Sequence, residues 1–192
     1  MSFPHVYLVR HGETAWSLSG QHTGRADIPL TERGEAEARA LANRLAGLQV
    51  VKVLASPLIR ARRTAELAGF AGKLEVDVDL MEWDYGGYEG RRTADIRKEQ
   101  PRWNPFLDGY PGGETVAQVA ARADRVIARV RALQGNALLF AHRDILRVLI
   151  ARWIDLPAQQ GRRFDLQTGS LSVLGYDHNL SEPVLRGLNQ VG

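Results

Sequence analysis

Two histidines, two arginines and a glutamate stand just beyond short β-prone runs in this sequence. Arg10 and His11 follow Val6-Tyr7-Leu8-Val9, and Arg60 comes soon after Val50–Leu54 and Ser56. Glu82 follows Leu74–Val78, and His142 ends the apolar run Ala137–Ala141. The set fits phosphoryl transfer, which requires a nucleophile, positive donors around the equatorial oxygens and an acid for the departing oxygen. An imidazole held in one tautomer attacks phosphorus through one ring nitrogen while the other donates to a carbonyl. Guanidinium groups hold the developing charge, and a carboxylic acid protonates the leaving group. Arg10 and Gly12 have no packing reason, visible in the sequence, to flank His11, which favours chemistry there. The plain counterparts are a hydrogen-bonded strand-end histidine for His142, a surface arginine beside Arg62 and Arg63 for Arg60, and the rival carboxylates Asp79, Asp84 and Glu89 for Glu82. Glu13 is read as structural. His5, His22 and His178 lack companions, with His22 the best placed of the three to line a pocket.

Bringing those residues together requires strand ends to meet along one sheet edge. The first run, from His5 to Arg10, is a strand that gives way at Gly12 to a polar loop through Gly24. Thr31 caps a helix whose Ala38, Leu41, Leu45 and Leu48 recur at helical spacing, with Glu35 and Glu37 favourable near its start. Val50–Leu54 is a second strand, and Ser56-Pro57 is read as cap and first-turn proline of the next helix. Leu74–Val78 alternates as a third strand before the Gly- and aromatic-rich loop Met81–Gly90, and Thr93–Gln100 is a short helix ended by Pro101. Pro101–Gly113 carries three prolines, three glycines and an exposed-looking aromatic series, Trp103, Phe106 and Tyr110, read as lid packing. From Glu114 to Leu133 an apolar stripe marks a long amphipathic helix. Ala137–Ala141 is a fourth strand leading into a buried helix through Trp153, and Leu171–Tyr176 and Val184–Leu188 close the sheet. The expected fold is a three-layer α/β/α sandwich around a mostly parallel sheet, with residues 1–192 as one domain. Ligands of such sheets bind beyond the carboxyl ends of the strands, where the five residues stand.

The 25 lysines and arginines include only three lysines, Lys52, Lys73 and Lys98, and the net charge is +3. Guanidinium suits bidentate phosphate or carboxylate recognition, so an anionic small molecule is the expected partner. The arginines are spread along the chain rather than clustered with aromatics, so nucleic acid is not expected. The absence of cysteine removes disulfides, thiolate metal sites and a cysteine nucleophile. No apolar stretch reaches the length of a membrane span, and a cytoplasmic location is the default expectation. The oligomeric state is open, a homodimer included.

Arg10-His11-Gly12-Glu13-Thr14, with Trp16, Ser17, Thr23-Gly24 and Leu30-Thr31-Glu32-Arg33-Gly34, resembles the start of the histidine phosphatase superfamily in its phosphoglycerate-mutase-like branch. Ser56-Pro57-Leu58 with Arg60-Ala61 and Thr64-Ala65 resembles its second motif. Glu82 before Tyr85-Gly86 and Tyr88-Glu89-Gly90 resembles the third, and Ala141-His142 with Leu146-Arg147 the fourth. The resemblance covers nearly the whole chain in the family's order. It implies His11 as the phosphorylated nucleophile, Arg10, Arg60 and His142 around the phosphate, and Glu82 as proton donor and then base. It also implies substrate contacts from Ser17, Thr23, Gly24 and Tyr85, and neither metal nor other cofactor. The Glu82–Gly86 and Pro111–Thr115 segments are similar to those of small sugar-phosphate phosphatases, including sedoheptulose-bisphosphatase-like members. Two positions depart from the family pattern. Arg143-Asp144 replaces the usual glycine after the second histidine, and Arg63 stands where glutamine is common.

The expected function is hydrolysis of a small phosphate monoester, with water resolving phospho-His11. A cofactor-dependent phosphoglycerate mutase is the alternative, disfavoured because the stretch from 82 to 142 is short of the basic insertion that such mutases use to grip a carboxylate. An inactive phospho-ligand-binding module is a third reading, opposed by the complete set of five residues. A metal hydrolase is weaker still, since the arginines would repel a cation.

Overall fold

The computed structural model of the chain describes residues 3–191. Six strands form one sheet: β1 (Val6–Arg10), β2 (Val50–Ala55), β3 (Leu74–Val76), β4 (Asn136–Ala141), β5 (Leu171–Tyr176) and β6 (Pro183–Gln190). Their spatial order is β3-β2-β4-β1-β5-β6. The pairs β3–β2, β2–β4 and β4–β1 are parallel, whereas β5 runs antiparallel to both β1 and β6. Side chains of β4 alternate across the sheet: Ala137, Leu139 and Ala141 enter one core cluster, Leu138 and Phe140 the other. A central parallel strand covered on both faces must be apolar throughout, which accounts for its unbroken run.

Among the described residues seven α-helices flank the sheet: α1 (Ala15–Ser19), α2 (Glu32–Leu45), α3 (Ile59–Ala65), α4 (Thr93–Glu99), α5 (Pro105–Asp108), α6 (Val116–Arg131) and α7 (Arg143–Trp153). Leu41 and Leu45 of α2 and Ala65 of α3 pack on one face; Val119, Val126 and Val130 of α6 and Ile145, Leu149 and Trp153 of α7 pack on the other. The expected three-layer α/β/α sandwich is the fold observed. None of the described helices is long and apolar enough to cross a membrane.

Three local expectations are corrected. Ser56 and Pro57 do not begin a helix: α3 starts at Ile59, whose amide donates to Asp27 Oδ1 at 2.7 Å, a cap delivered from a distant loop. The third strand stops at Val76, because Asp77 accepts from the Asp79 amide at 3.0 Å and starts a 3-10 turn. Trp103, Phe106 and Tyr110 are not exposed but buried in the larger core cluster. Their apolar area is covered by Trp83, Tyr88 and the α7 layer, so the Pro/Gly-rich segment is ordered by aromatic packing that no local periodicity reveals.

Candidate active site

The end of β1, the loop after α1, the Glu82–Tyr85 loop, Thr93 at the start of α4 and the start of α7 surround a cavity of about 110 Å³. Arg10, His11, Ser17, His22, Thr23, Glu82, Tyr85, Thr93, Arg143 and Asp144 are among its lining residues. The segment from Gln21 to Thr23 is zipped onto the far loop by His22 N–H to Arg91 O at 2.8 Å and Gly90 N–H to His22 O at 2.8 Å. That pairing carries His22 into the cavity wall, a position its lack of sequence companions had made hard to read. Its ring meets those of Tyr85 and Tyr110 edge-on, and its Nε2 lies 3.1 Å from Thr93 Oγ1.

His11 is 4% exposed, and its Nδ1 donates to the Gly12 carbonyl at 2.7 Å. Nε2 therefore carries the lone pair. Burial, reinforced by Arg60 and Arg10, holds the imidazole pKa well below the ordinary value, so the ring is neutral. Gly12 has a packing reason that the sequence reading missed: a Cβ there would stand 2.3 Å from the Gly34 carbonyl, and one at Gly34 would stand 2.1 Å from that of Glu13. The two glycines let the loop after β1 press against the start of α2. Glu13 secures the contact by accepting from Thr31 Oγ1 at 2.8 Å, the structural task expected of it.

Arg10 donates through Nη1 to the Leu166 carbonyl at 2.5 Å, while its buried Nε has no partner. Burial and the nearby Arg143 push its pKa down to about 10, against the opposing pull of Glu82 and Asp144. A buried N–H without a partner is costly, so an anion that reaches it is stabilised by more than an exposed pair would provide.

Arg60 and His142 are brought to His11 but stand behind it rather than in the cavity wall. Both are fully buried, and the His142 ring centroid is 5.2 Å from that of His11. Arg60 Nε donates to His142 Nδ1 at 3.0 Å, which leaves the His142 proton on Nε2, directed at Ser56 Oγ at 2.7 Å. The other Arg60 donors reach the carbonyls of Thr23, Gly24 and Ala26. Gly24 is likewise placed outside the cavity, packed against the Trp83 backbone and donating to Glu89 Oε1 at 2.8 Å. Ser17 and Thr23 line the cavity, with Ser17 also exchanging capping hydrogen bonds with Thr14 at the start of α1.

Glu82 sits at the amino end of α7, accepting from the amides of Trp83, Asp144 and Ile145 at 2.9, 3.0 and 2.9 Å. Burial and then the Asp144 charge raise its pKa above the usual value, against those three bonds. Burial acts on Asp144 in the same sense, but Arg147, Arg143 and the Tyr85 hydroxyl hold it below the usual range. Tyr85 donates to Asp144 Oδ2 at 2.8 Å, and Arg147 Nη1 to Oδ1 at 2.9 Å. Two neighbouring carboxyls pushed apart in this way divide the labour: Asp144 ionises first, and Glu82 holds its proton to higher pH than an ordinary carboxyl. Asp144 stands out in the sequence only as a departure from the family pattern, although the single acid of the buried helix α7, placed in its first turn, was the signal. Arg122 was missed entirely. It lies on the buried stripe of α6, donates to the Asp79 and Met81 carbonyls at 2.7 and 2.8 Å and pairs with Glu114, fixing the approach to Glu82. Among the described residues, the one His/carboxylate group close enough to share a cation is exposed Asp177, His178 and Glu182, in the β5–β6 turn.

Residues 6–190 match the histidine phosphatase superfamily, branch 1. An acid phosphatase of Mycobacterium tuberculosis is 40% identical over 187 residues, covering 95% of this chain and 92% of its own. A sedoheptulose 1,7-bisphosphatase of Saccharomyces cerevisiae is 35% identical over 190 residues, covering 82% of this chain and 70% of its own. A solved Mycobacterium tuberculosis open reading frame superposes with a TM-score of 0.92 at 38% identity, covering 98% of both chains. The chain therefore belongs to the histidine phosphatase superfamily, branch 1, as a hydrolase of the phosphoglycerate-mutase-like group.

Proposed function

We propose that the protein hydrolyses small phosphate monoesters, foremost a sugar phosphate, through a phosphohistidine on His11. The observation that carries this reading is the tautomer of His11: a neutral ring with Nδ1–H tied to Gly12 O and an unprotonated Nε2, in a cavity shared with Glu82 and the unpartnered Nε of Arg10. Nε2 attacks phosphorus as the ester P–O bond breaks, and the Glu82 proton passes to the departing alkoxide. The Glu82 carboxylate then takes a proton from water, whose oxygen attacks the phosphoryl group. The N–P bond breaks, releasing phosphate, returning the electron pair to Nε2 and leaving Glu82 protonated. Arg10 contacts the transferred oxygens, with Ser17, Thr23 and Tyr85 along the remainder of the ester. Arg60 and His142 act from behind: the guanidinium contributes positive potential at His11, and the pair holds the Thr23–Ala26 turn in place. The names of the acid phosphatase and the sedoheptulose bisphosphatase support hydrolysis of this kind.

The test is phosphate release from sugar phosphates, phosphoglycerates and an aryl phosphate, with EDTA present and with His11→Ala alongside. Release that survives the chelator and is lost in the variant upholds the reading. Transfer between phosphoglycerates without release replaces it by a mutase, and neither activity replaces it by a binding module.

A further inference from the structure

A second cavity of about 190 Å³ adjoins the His11 pocket and shares His22, Thr93, Arg143 and Asp144 with it. Four guanidinium residues line it, Arg97, Arg143, Arg147 and Arg162, against a single carboxylate, Asp144. Arg147 is spent: it pairs with Asp144, donates to the carbonyls of Gly161 and Arg162 at 3.0 and 2.8 Å, and stacks on Phe106 at 4.6 Å. It thereby offsets part of the Asp144 charge and fixes the backbone that carries Arg162. Arg97 uses only Nε, on the Trp103 carbonyl at 3.2 Å. The side chains of Arg143 and Arg162 make no hydrogen bond or ion pair among the described residues. Asp144 is the main charge acting on Arg143, with Asp165 weaker, and neither makes an ion pair with it. The wall therefore presents three arginines with guanidinium donors to spare around a space that opens onto the reacting centre.

We propose that Arg143, Arg97 and Arg162 form a second anion subsite, so that the preferred substrate is a phosphate monoester bearing a further phosphate or carboxylate group. This deepens the phosphatase reading above and rests on it. The wall Arg143 shares between the two cavities sets the order of events: the transferred phosphoryl sits at His11 and Arg10, and the remote anion meets Arg143 first and Arg162 and Arg97 beyond it. A sugar or short polyol chain spans the two, with His22 and Thr93 beside it. Planar guanidinium forks match both phosphate and carboxylate, and several converging on one group discriminate against esters that lack it.

Steady-state rates on a shared six-carbon scaffold test the subsite: fructose 1,6-bisphosphate for a second phosphate, 6-phosphogluconate for a carboxylate, and glucose 6-phosphate for neither, with an aryl phosphate as control for the chemistry. The wild type is expected to favour one or both doubly anionic esters over glucose 6-phosphate at least ~10-fold in kcat/KM, the scale of a charge-assisted hydrogen bond. That ratio should fall to within about threefold of unity in Arg143→Gln and drop several-fold in Arg162→Gln. Equal rates on all three esters, or a preference intact in both variants, overturn the subsite while leaving the phosphatase reading standing. If no ester, the aryl phosphate included, is hydrolysed, the phosphatase reading is what has failed. Calorimetric titration of the wild type with fructose 1,6-bisphosphate then decides the subsite. Binding weakened about 10-fold or more by Arg143→Gln upholds it, and absent or unchanged binding removes it.

Discussion

At the scale of single residues, the site is a set of protonation states imposed by burial and by neighbours. His11 must enter the reaction neutral and Glu82 protonated, and the shifts run that way: burial and two guanidiniums lower His11, while burial and Asp144 raise Glu82. Activity is therefore expected to rise as pH climbs through the His11 value, well below 6.5, and to fall as it climbs through that of Glu82, above 4.5. The result is an acid-shifted bell, and a flat kcat/KM profile from about pH 5 to 9 would contradict the proton role. Glu82→Gln should lower kcat about 10²- to 10⁴-fold and erase the descending limb, since the amide has no proton to give. His11→Ala should cut phosphate release by at least about 10³-fold. It should also abolish acid-labile, base-stable phosphorylation of the protein in a rapid-quench experiment with labelled substrate.

At the scale of elements, what positions the nucleophile is a backbone-to-backbone approach. The loop carrying His11 touches the start of α2 through Gly12 and Gly34, with no room for a methyl group on either. Gly34→Ala should push the Glu13 carbonyl outward, costing about 1–3 kcal/mol as overpacking does and lowering kcat along with the melting temperature. Thermal melts beside initial rates check this, and a variant as stable and active as wild type would show that the approach can relax. A second expectation concerns the distant cap of α3. Asp27→Ala removes the acceptor for the Ile59 amide, and a loss of about 1 kcal/mol is expected from denaturant unfolding. Because α3 also carries Arg60, whose donors hold the carbonyls of residues 23, 24 and 26, the same variant should loosen the substrate wall and raise KM more than it lowers kcat.

At the scale of the whole molecule, burial of neutral histidines links stability to pH. His11, His142 and His22 all have pKa values below 6.5 in the fold, chiefly through burial. Below that value the unfolded chain binds protons that the folded chain refuses, so stability is lost as pH falls through the window under 6.5. Asp79, Glu114 and Asp144, held low by their arginine partners despite burial, add to the loss further down. Glu82 has the opposite sign: its raised pKa favours the fold below 4.5, and that contribution disappears as pH rises through the folded value. The balance predicts an unfolding free energy that falls between about pH 7.5 and pH 5, by up to ~1.4 kcal/mol per pH unit for each extra proton bound by the unfolded chain, and a melting temperature that falls with it. Scanning calorimetry across that range checks it, and a constant melting temperature would mean that the buried histidines take up protons in the fold as readily as in the unfolded chain.

The sequence by itself determined the layering of the molecule and the identity of its chemical groups. Strand and helix periodicities record which face of each element is buried, so the run Ala137–Ala141 and the stripe from Val116 to Leu133 were legible without coordinates. The motif residues likewise stand at strand ends, where the topology of a parallel sheet collects them. Tertiary structure alone decided which of them reach the cavity. Arg10, His11 and Glu82 line it, whereas Arg60 and His142 are turned toward Ser56 and the Thr23–Ala26 carbonyls. It also decided that Trp103, Phe106 and Tyr110 are core, that Asp144 belongs to the site, and that Gly12 is there for lack of space. Each of those outcomes depends on contacts between residues far apart in the chain. Periodicity reports a residue's burial relative to its own element, whereas a side chain's partners are set by how elements pack against one another.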